Sequence, residues 1–171
     1  MNKLKTIAIC GSSGHISDQV EAICLELGKK LAENGYNLVC GGRDGVMEAV
    51  CHGFSLAPNS QGTCLGILPG MHKEDANPYC QLVIPTGLGY ARNSLVVLSG
   101  DAVVVVQGAS GTLTEVAYAW QFGKPVASLK STGGVAARVA DTRIDDRRKD
   151  KIAGFAEVEE LLGWIKIKLG E

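Results

Sequence analysis

Four consecutive valines at 103–106, headed by Asp101-Ala102, constrain this chain more than any other stretch. They are β-branched and apolar, with no polar residue alternating among them, so they read as a strand buried on both faces. Strands of that kind belong to a parallel sheet covered by helices on either side.

The rest of the sequence supplies the neighbours such a strand needs. Residues 4–10, 36–40, 63–68, 81–84 and 125–129 are further apolar runs of strand length. Between them the period changes to that of a helix. Ser17-Asp18 opens one, Val20, Ile23, Cys24, Leu27 and Leu31 recur on its face, and Asn34-Gly35 ends it. Val46, Met47, Val50 and Phe54 mark a second, stopped by Pro58. Residues 91–98, 112–122 and 157–169 complete the set, the last with Val158, Leu161, Leu162, Ile165 and Leu169 on one side. This alternation predicts an α/β, Rossmann-like, doubly wound and mainly parallel sheet flanked by helices. A length of 171 residues suits a single domain over 1–171. A chain of this mass buries roughly 69% of its unfolded surface, enough for a core without disulfides or metal. Residues 71–78 read as a polar loop. The segment 141–151, dense in Asp, Arg and Lys, reads as a solvated, mobile loop, with a phosphate-reaching or partner-contacting loop as the alternative.

Charge narrows the partners. Seventeen basic against 18 acidic residues leave a net −1, which lacks the basic excess of a nucleic-acid or membrane-surface binder. No apolar run reaches 18 residues, and the run 4–10 is too short for a secretory leader, so a cytoplasmic protein is expected. Six cysteines (Cys10, Cys24, Cys40, Cys51, Cys64 and Cys80) fall 11 to 16 residues apart, with no C-x-x-C pair and three histidines in the whole chain. No metal site is read from that spacing. Cys10 and Cys40 end apolar runs just before glycine loops, and they read as reduced core thiols or as thiols lining a pocket at the strand ends.

Glycine is the unusual component: 22 of 171 residues, about 13% against a usual ~7%. Three glycine loops share one design. Gly11-Ser12-Ser13-Gly14 follows the first strand, Gly41-Gly42-Arg43-Asp44-Gly45 the second, and Gln107-Gly108-Ala109-Ser110-Gly111-Thr112 the valine strand. Each lies at a strand's carboxyl end and opens a helix, where open α/β sheets bind ligands. Glycine lets the backbone approach closely, and a helix N-terminus favours negative charge. Three such loops on one edge point to a phosphorylated small molecule. Neither G-x-x-x-x-G-K-[ST] nor a clean G-x-G-x-x-G occurs, which disfavours kinase-like ATP use and ordinary NAD binding. Two ionisable residues stand beside these loops. Glu115 lies a turn into the helix after the valine strand, where it either faces the pocket or complements the helix dipole. Arg92 precedes Asn93 and either clamps a phosphate or starts a surface helix.

Together these residues resemble a known group. Gly41-Gly42 with Gly45-Val46-Met47, then Ala91-Arg92-Asn93, then Gly108-Ala109-Ser110-Gly111-Thr112-Leu113-Thr114-Glu115 and Gly123-Lys124-Pro125-Val126 are similar to the LOG-like superfamily, including its short branch of molybdenum cofactor carrier-like proteins. The resemblance runs over residues 4–130 and more weakly beyond. It implies binding of a molybdenum cofactor, pterin phosphate or nucleotide as a carrier or sensor, with no required cofactor. The implied ligand residues are Gly11, Ser12, Ser13, Gly41, Gly42, Gly45, Met47, Arg92, Asn93, Gly108, Ser110, Gly111, Thr112 and Glu115. An alternative it implies is a phosphoribohydrolase that cleaves the N-glycosidic bond of a nucleoside 5′-monophosphate, with Arg92 and Glu115 catalytic. Hydrolases of the group carry Pro-Gly-Gly-x-Gly-Thr-x-x-Glu. Here Gln107 replaces the proline, Ala109 the second glycine, and Asn93 a basic residue. The older lysine decarboxylase label of this group is not carried over, because no lysine sits where a Schiff base would form. A third reading is an interaction module whose loops are structural only. The resemblance also implies a homodimer or homotetramer. The nearly all-round apolar character of 112–122 is consistent with a helix buried on more than one face.

Overall fold

The computed structural model describes residues 4–170; Met1, Asn2, Lys3 and Glu171 of the expected 1–171 domain lie outside the described residues. Seven strands form one sheet in the order β4-β3-β2-β1-β5-β6-β7. Their ranges are β1 Thr6–Gly11, β2 Asn37–Cys40, β3 Cys64–Leu68, β4 Leu82–Pro85, β5 Ala102–Val106, β6 Val126–Leu129 and β7 Ala153–Phe155. Every pairing is parallel, so the sheet is wholly rather than mainly parallel. Six α-helices flank it among the described residues: α1 Asp18–Glu33, α2 Val46–Ser55, α3 Asn93–Ser99, α4 Ser110–Gln121, α5 Gly134–Val139 and α6 Val158–Leu169. The helix expected over 91–98 begins as a short 3-10 turn, Gly89–Arg92, and becomes α-helical at Asn93.

The valine strand is the centre of this arrangement. All five residues of β5 are fully buried between β1 and β6, which leaves both faces for helices. Each buried valine contributes roughly 1.5–3 kcal/mol, an upper figure for a real unfolded reference. On one face the core gathers α1, α2 and α6 around Leu27, Leu31, Phe54 and Leu161. On the other, Val96, Val116, Trp120 and Val135 bring in α3, α4 and α5. Helix α1 starts where Ser17 accepts a hydrogen bond from the Val20 amide at 3.4 Å, with Asp18 and Glu21 in its first turn against the dipole. Asn34 ends it, and Gly35 follows at a φ of 77°.

The chain winds outward from β1 to β4, then returns to the other side of β1 as β5 and continues to β7. The order of winding therefore reverses between β1 and β5, and a crevice opens at their carboxyl ends. Two elements were not anticipated, α5 and β7, both short. The acidic and basic residues of 141–151 are mostly exposed. Two of them dock on α4: Asp145 accepts a hydrogen bond from Trp120 Nε1 at 2.8 Å, and the Arg148 guanidinium lies 4.6 Å above the Trp120 ring.

Candidate functional site

The crevice is built by the loops after β1 and β5. Ser12 Oγ donates to Gln107 Oε1 at 2.9 Å, joining the two loops across the reversal point. Gln107 holds a φ of 51°, unusual for a residue with a side chain. Its conformation is fixed from several sides: its amide donates to Thr132 Oγ1 at 2.7 Å and its carbonyl accepts from the Ala136 amide at 2.8 Å. Gly108 follows at a φ of 95°, and a β-carbon there would collide with Thr112.

Helix α4 then begins at Ser110 with no side chain capping it, since Ala109 offers none. First-turn amides of this kind lack intrahelical partners and carry the positive end of the dipole. They open onto a cleft of about 220 Å³. Gly11, Ser12 and Ser13 form one wall and Ser110, Gly111 and Thr112 another. Met47, Arg92, Asn93 and Glu115 complete it among the residues the sequence pointed to. Three lining residues were not selected from the sequence: Arg43, Tyr90 and Ala109. Arg43 lies inside the second glycine loop, and Tyr90 is two residues before Arg92, so their neighbours carried the available signal. Tyr90 is 85% exposed, an aromatic face at the rim.

Gly41, Gly42, Gly45 and Gly108 do not line the cleft; they support it from behind. A β-carbon on Gly41 would strike the Arg92 guanidinium and the Met47 sulfur, and one on Gly45 would strike the carbonyls of Ser12 and Gly14. The second loop is braced by Asn77, whose amide donates to Gly42 O at 2.9 Å and whose Nδ2 donates to Arg43 O at 3.0 Å. Asn77 belongs to the stretch read from sequence as a polar loop, which holds a 3-10 turn, Lys73–Asp75.

Arg92 and Glu115 form a buried pair on the floor, Nη1 to Oε1 at 3.7 Å. Neither sits on the surface, which removes the reading of Arg92 as a surface helix-start arginine, and Glu115 faces the pocket. The guanidinium also donates to Asn93 Oδ1 and to Gly41 O, the latter at 3.3 Å. Its Nε is buried without a partner. Asn93 fastens α3 to α4 by donating to Thr114 Oγ1 at 3.0 Å and Gly111 O at 3.4 Å. Burial pushes the Glu115 carboxyl up to about 7, although Arg92 and the hydrogen bond from Cys10 pull it down. Burial likewise lowers the pKa of Arg92, against the opposing pull of Glu115. Desolvation thus outweighs pairing for both partners. Burial pushes the Cys10 thiol up, and the neighbouring Glu115 carboxylate adds to that.

Chemically, the cleft presents hydroxyls, uncapped helix amides and two guanidinium groups, an arrangement suited to phosphate. At its floor it holds an acid that changes charge near neutrality.

Comparison with known proteins agrees with this reading of the fold. The model of the SLOG cluster4 family matches residues 4–162. An uncharacterized protein of Archaeoglobus fulgidus is 39% identical over 128 residues, covering 75% of this chain and 82% of that protein. The structure of the molybdenum cofactor binding protein of Rippkaea orientalis superposes with a TM-score of 0.84 at 28% identity, covering 98% of each chain. The cytokinin riboside 5′-monophosphate phosphoribohydrolase of Mycobacterium tuberculosis is 31% identical over 121 residues, 69% of this chain and 63% of that enzyme. No helix among the described residues is long and apolar enough to cross a membrane.

Proposed function

The chain belongs to the SLOG cluster4 family, and from that premise we propose that it binds a phosphorylated small molecule, a pterin phosphate of the molybdenum cofactor type or a nucleotide, as a carrier or sensor. The observation that carries this reading is Arg92: a buried guanidinium on the cleft floor with Nε unpartnered. A buried polar group without a partner is costly, and an anion in the cleft offsets that cost. The phosphate would lie against the α4 amides and Ser12, Ser13, Ser110 and Thr112. A cleft of about 220 Å³ is smaller than the ~300–1,000 Å³ of drug-sized pockets. It takes the phosphorylated end and leaves the ring system to stack on Tyr90 at the rim. The likeness to the Rippkaea orientalis protein supports the pterin class.

The test is native mass spectrometry of the purified protein, with release and identification of any small molecule. A pterin phosphate or nucleotide recovered intact at near-stoichiometric amount is the expected result. A protein that carries none, and that no phosphorylated pterin or nucleotide stabilises against heating, overturns the reading.

A second reading, cleavage of nucleoside 5′-monophosphates, is favoured by the Arg92–Glu115 pair and by the likeness to the mycobacterial enzyme. Glu115, poised near 7, would activate the attacking water, and Arg92 would steady charge near the ribose. Free base and ribose 5-phosphate released from an added nucleotide would select this reading over the carrier. For the homodimer or homotetramer, the surface we assign is the exposed apolar set Leu98, Leu113 and Phe122 on the packed pair α3 and α4. Phe122→Lys should lower the mass in solution; a wild-type monomer would remove the assignment.

A further inference from the structure

Four of the six cysteines come together beside the second glycine loop, at residues that do not line the cleft. Cys40 ends β2, Cys51 lies inside α2, and Cys80 precedes β4. Cys40 Sγ and Cys51 Sγ are 3.5 Å apart, Cys51 Sγ and Cys80 Sγ 4.0 Å, and all three sulfurs lie within 4.8 Å of one another. Cys64, on β3, neighbours Cys51 and Cys80 but falls outside that group of three. The separations along the chain, 11 and 29 residues, match no familiar ligand spacing, so the cluster carries no spacing signature.

The geometry is that of a coordination site. A cation held by three thiolates in a plane, at the ~2.3 Å usual for a metal–sulfur bond, places the sulfurs about 4.0 Å apart. The two contacts, 3.5 and 4.0 Å, lie at or within 0.5 Å of that figure. Cys40 and Cys51 are wholly buried, and Cys80 is half-buried, which leaves one side open for entry. The Gly42 amide donates to Cys40 Sγ at 3.3 Å, a contact that favours a thiolate. Gly66 leaves room for the Cys80 sulfur, because a β-carbon there would press on it. The segment carrying Cys80 is held in place: its amide donates to Asn77 O at 3.3 Å, and Tyr79 stacks on His52 of α2 at 4.3 Å.

We propose that Cys40, Cys51 and Cys80 form a three-sulfur site for a soft thiophilic cation of the copper(I) class. Thiolates select such ions, and the planar three-sulfur set suits copper(I), whereas structural zinc almost always takes four ligands in a tetrahedron. Each sulfur that becomes a ligand gives its proton to solvent, and no electron is transferred.

The experiment is an anaerobic titration of the reduced full-length protein with copper(I) in the presence of a chromogenic copper(I) chelator. One copper per chain held against the chelator is expected, with a thiolate-to-copper absorption band and three sulfurs around the metal by X-ray absorption. Cys80→Ser, at the half-buried position, should weaken retention at least tenfold while circular dichroism stays that of the folded protein. Cys24→Ala, at a cysteine outside the cluster, should retain copper as the wild type does. Complete loss of copper from the wild type to the chelator overturns the proposal, as does undiminished retention by a folded Cys80→Ser. Preferential binding of zinc by four sulfurs, with Cys64→Ser abolishing it, overturns the three-sulfur copper assignment.

Discussion

Arg92 and Glu115 face each other at 3.7 Å on the floor of the cleft, with less than a tenth of either side chain exposed. The pair is set by two different elements. Arg92 closes the turn before α3, and Glu115 lies in the second turn of α4. Burial raises the pKa of Glu115 and lowers that of Arg92, in each case more than the pairing opposes it.

Stability should therefore depend on pH through Glu115. In the unfolded chain a glutamate titrates near 4.5, and here the folded carboxyl titrates at about 7. Between those values the native state holds a proton that the unfolded state has released, so stability falls as pH rises through the window. The group's contribution is fully present below about 4.5 and is lost above about 7, a change of about 3 kcal/mol. Denaturant midpoints measured from pH 4.5 to 8 should show this decline, and Glu115→Gln should flatten it. An unchanged slope in the folded variant would mean that another group titrates.

Much of this was legible in the sequence, for physical reasons that differ by element. The valine run can only be a two-faced buried strand, and Ser17 with Val20, Cys24 and Leu27 declares both the start and the inner face of α1. Helix α5 and β7 were hidden because six and three residues are too few to establish a period. The cleft was approached through its glycines, yet Gly41 and Gly45 turned out to lie behind it, since what they provide is clearance for Arg92 and for the first loop. The backbone of Gln107 was beyond reach: no residue type announces a φ of 51° imposed by Thr132, Ala136 and Ser12.

Ligand binding should depend on the fork of Arg92. Arg92→Lys keeps the charge but loses the planar pair of donors and the contacts to Gly41 and Asn93. A nucleoside 5′-monophosphate or a pterin phosphate should bind the variant about 10- to 100-fold more weakly by calorimetry, an effect of ~1.4–2.8 kcal/mol. Equal affinity for variant and wild type would place the phosphate elsewhere.

Gln107→Pro should unfold the cleft edge rather than restore the proline of the related hydrolases. Proline fixes φ near about −65° and has no amide hydrogen. Here φ is 51° and the amide donates to Thr132 Oγ1. A loss of at least 3 kcal/mol is expected, from the helix-breaking scale of such a mismatch. Chemical denaturation reads it directly. Gln107→Gly, which tolerates the angle but gives up the bond to Ser12, should lie within about 1 kcal/mol of the wild type.

Replacing glycine by alanine inside a helix ordinarily stabilises by about 0.5–1 kcal/mol. Gly163 of α6 should follow that rule, because nothing lies within 4 Å of where its β-carbon would stand. Gly28 of α1 and Gly53 of α2 should do the opposite. These helices pack backbone to backbone. A methyl on Gly28 would enter the Val50 carbonyl, and one on Gly53 would enter the Leu25 carbonyl. Neither obstacle is the movable end of a side chain, so the helices must separate. Overpacking of this kind costs about 1–3 kcal/mol. Thermal unfolding of Gly28→Ala, Gly53→Ala and Gly163→Ala under one condition tests the argument. Stabilisation by all three would mean that α1 and α2 have slack at the crossing. That slack would reach the cleft, because α2 carries Met47 in its first turn, and Met47 is what Gly41 leaves room for beside Arg92.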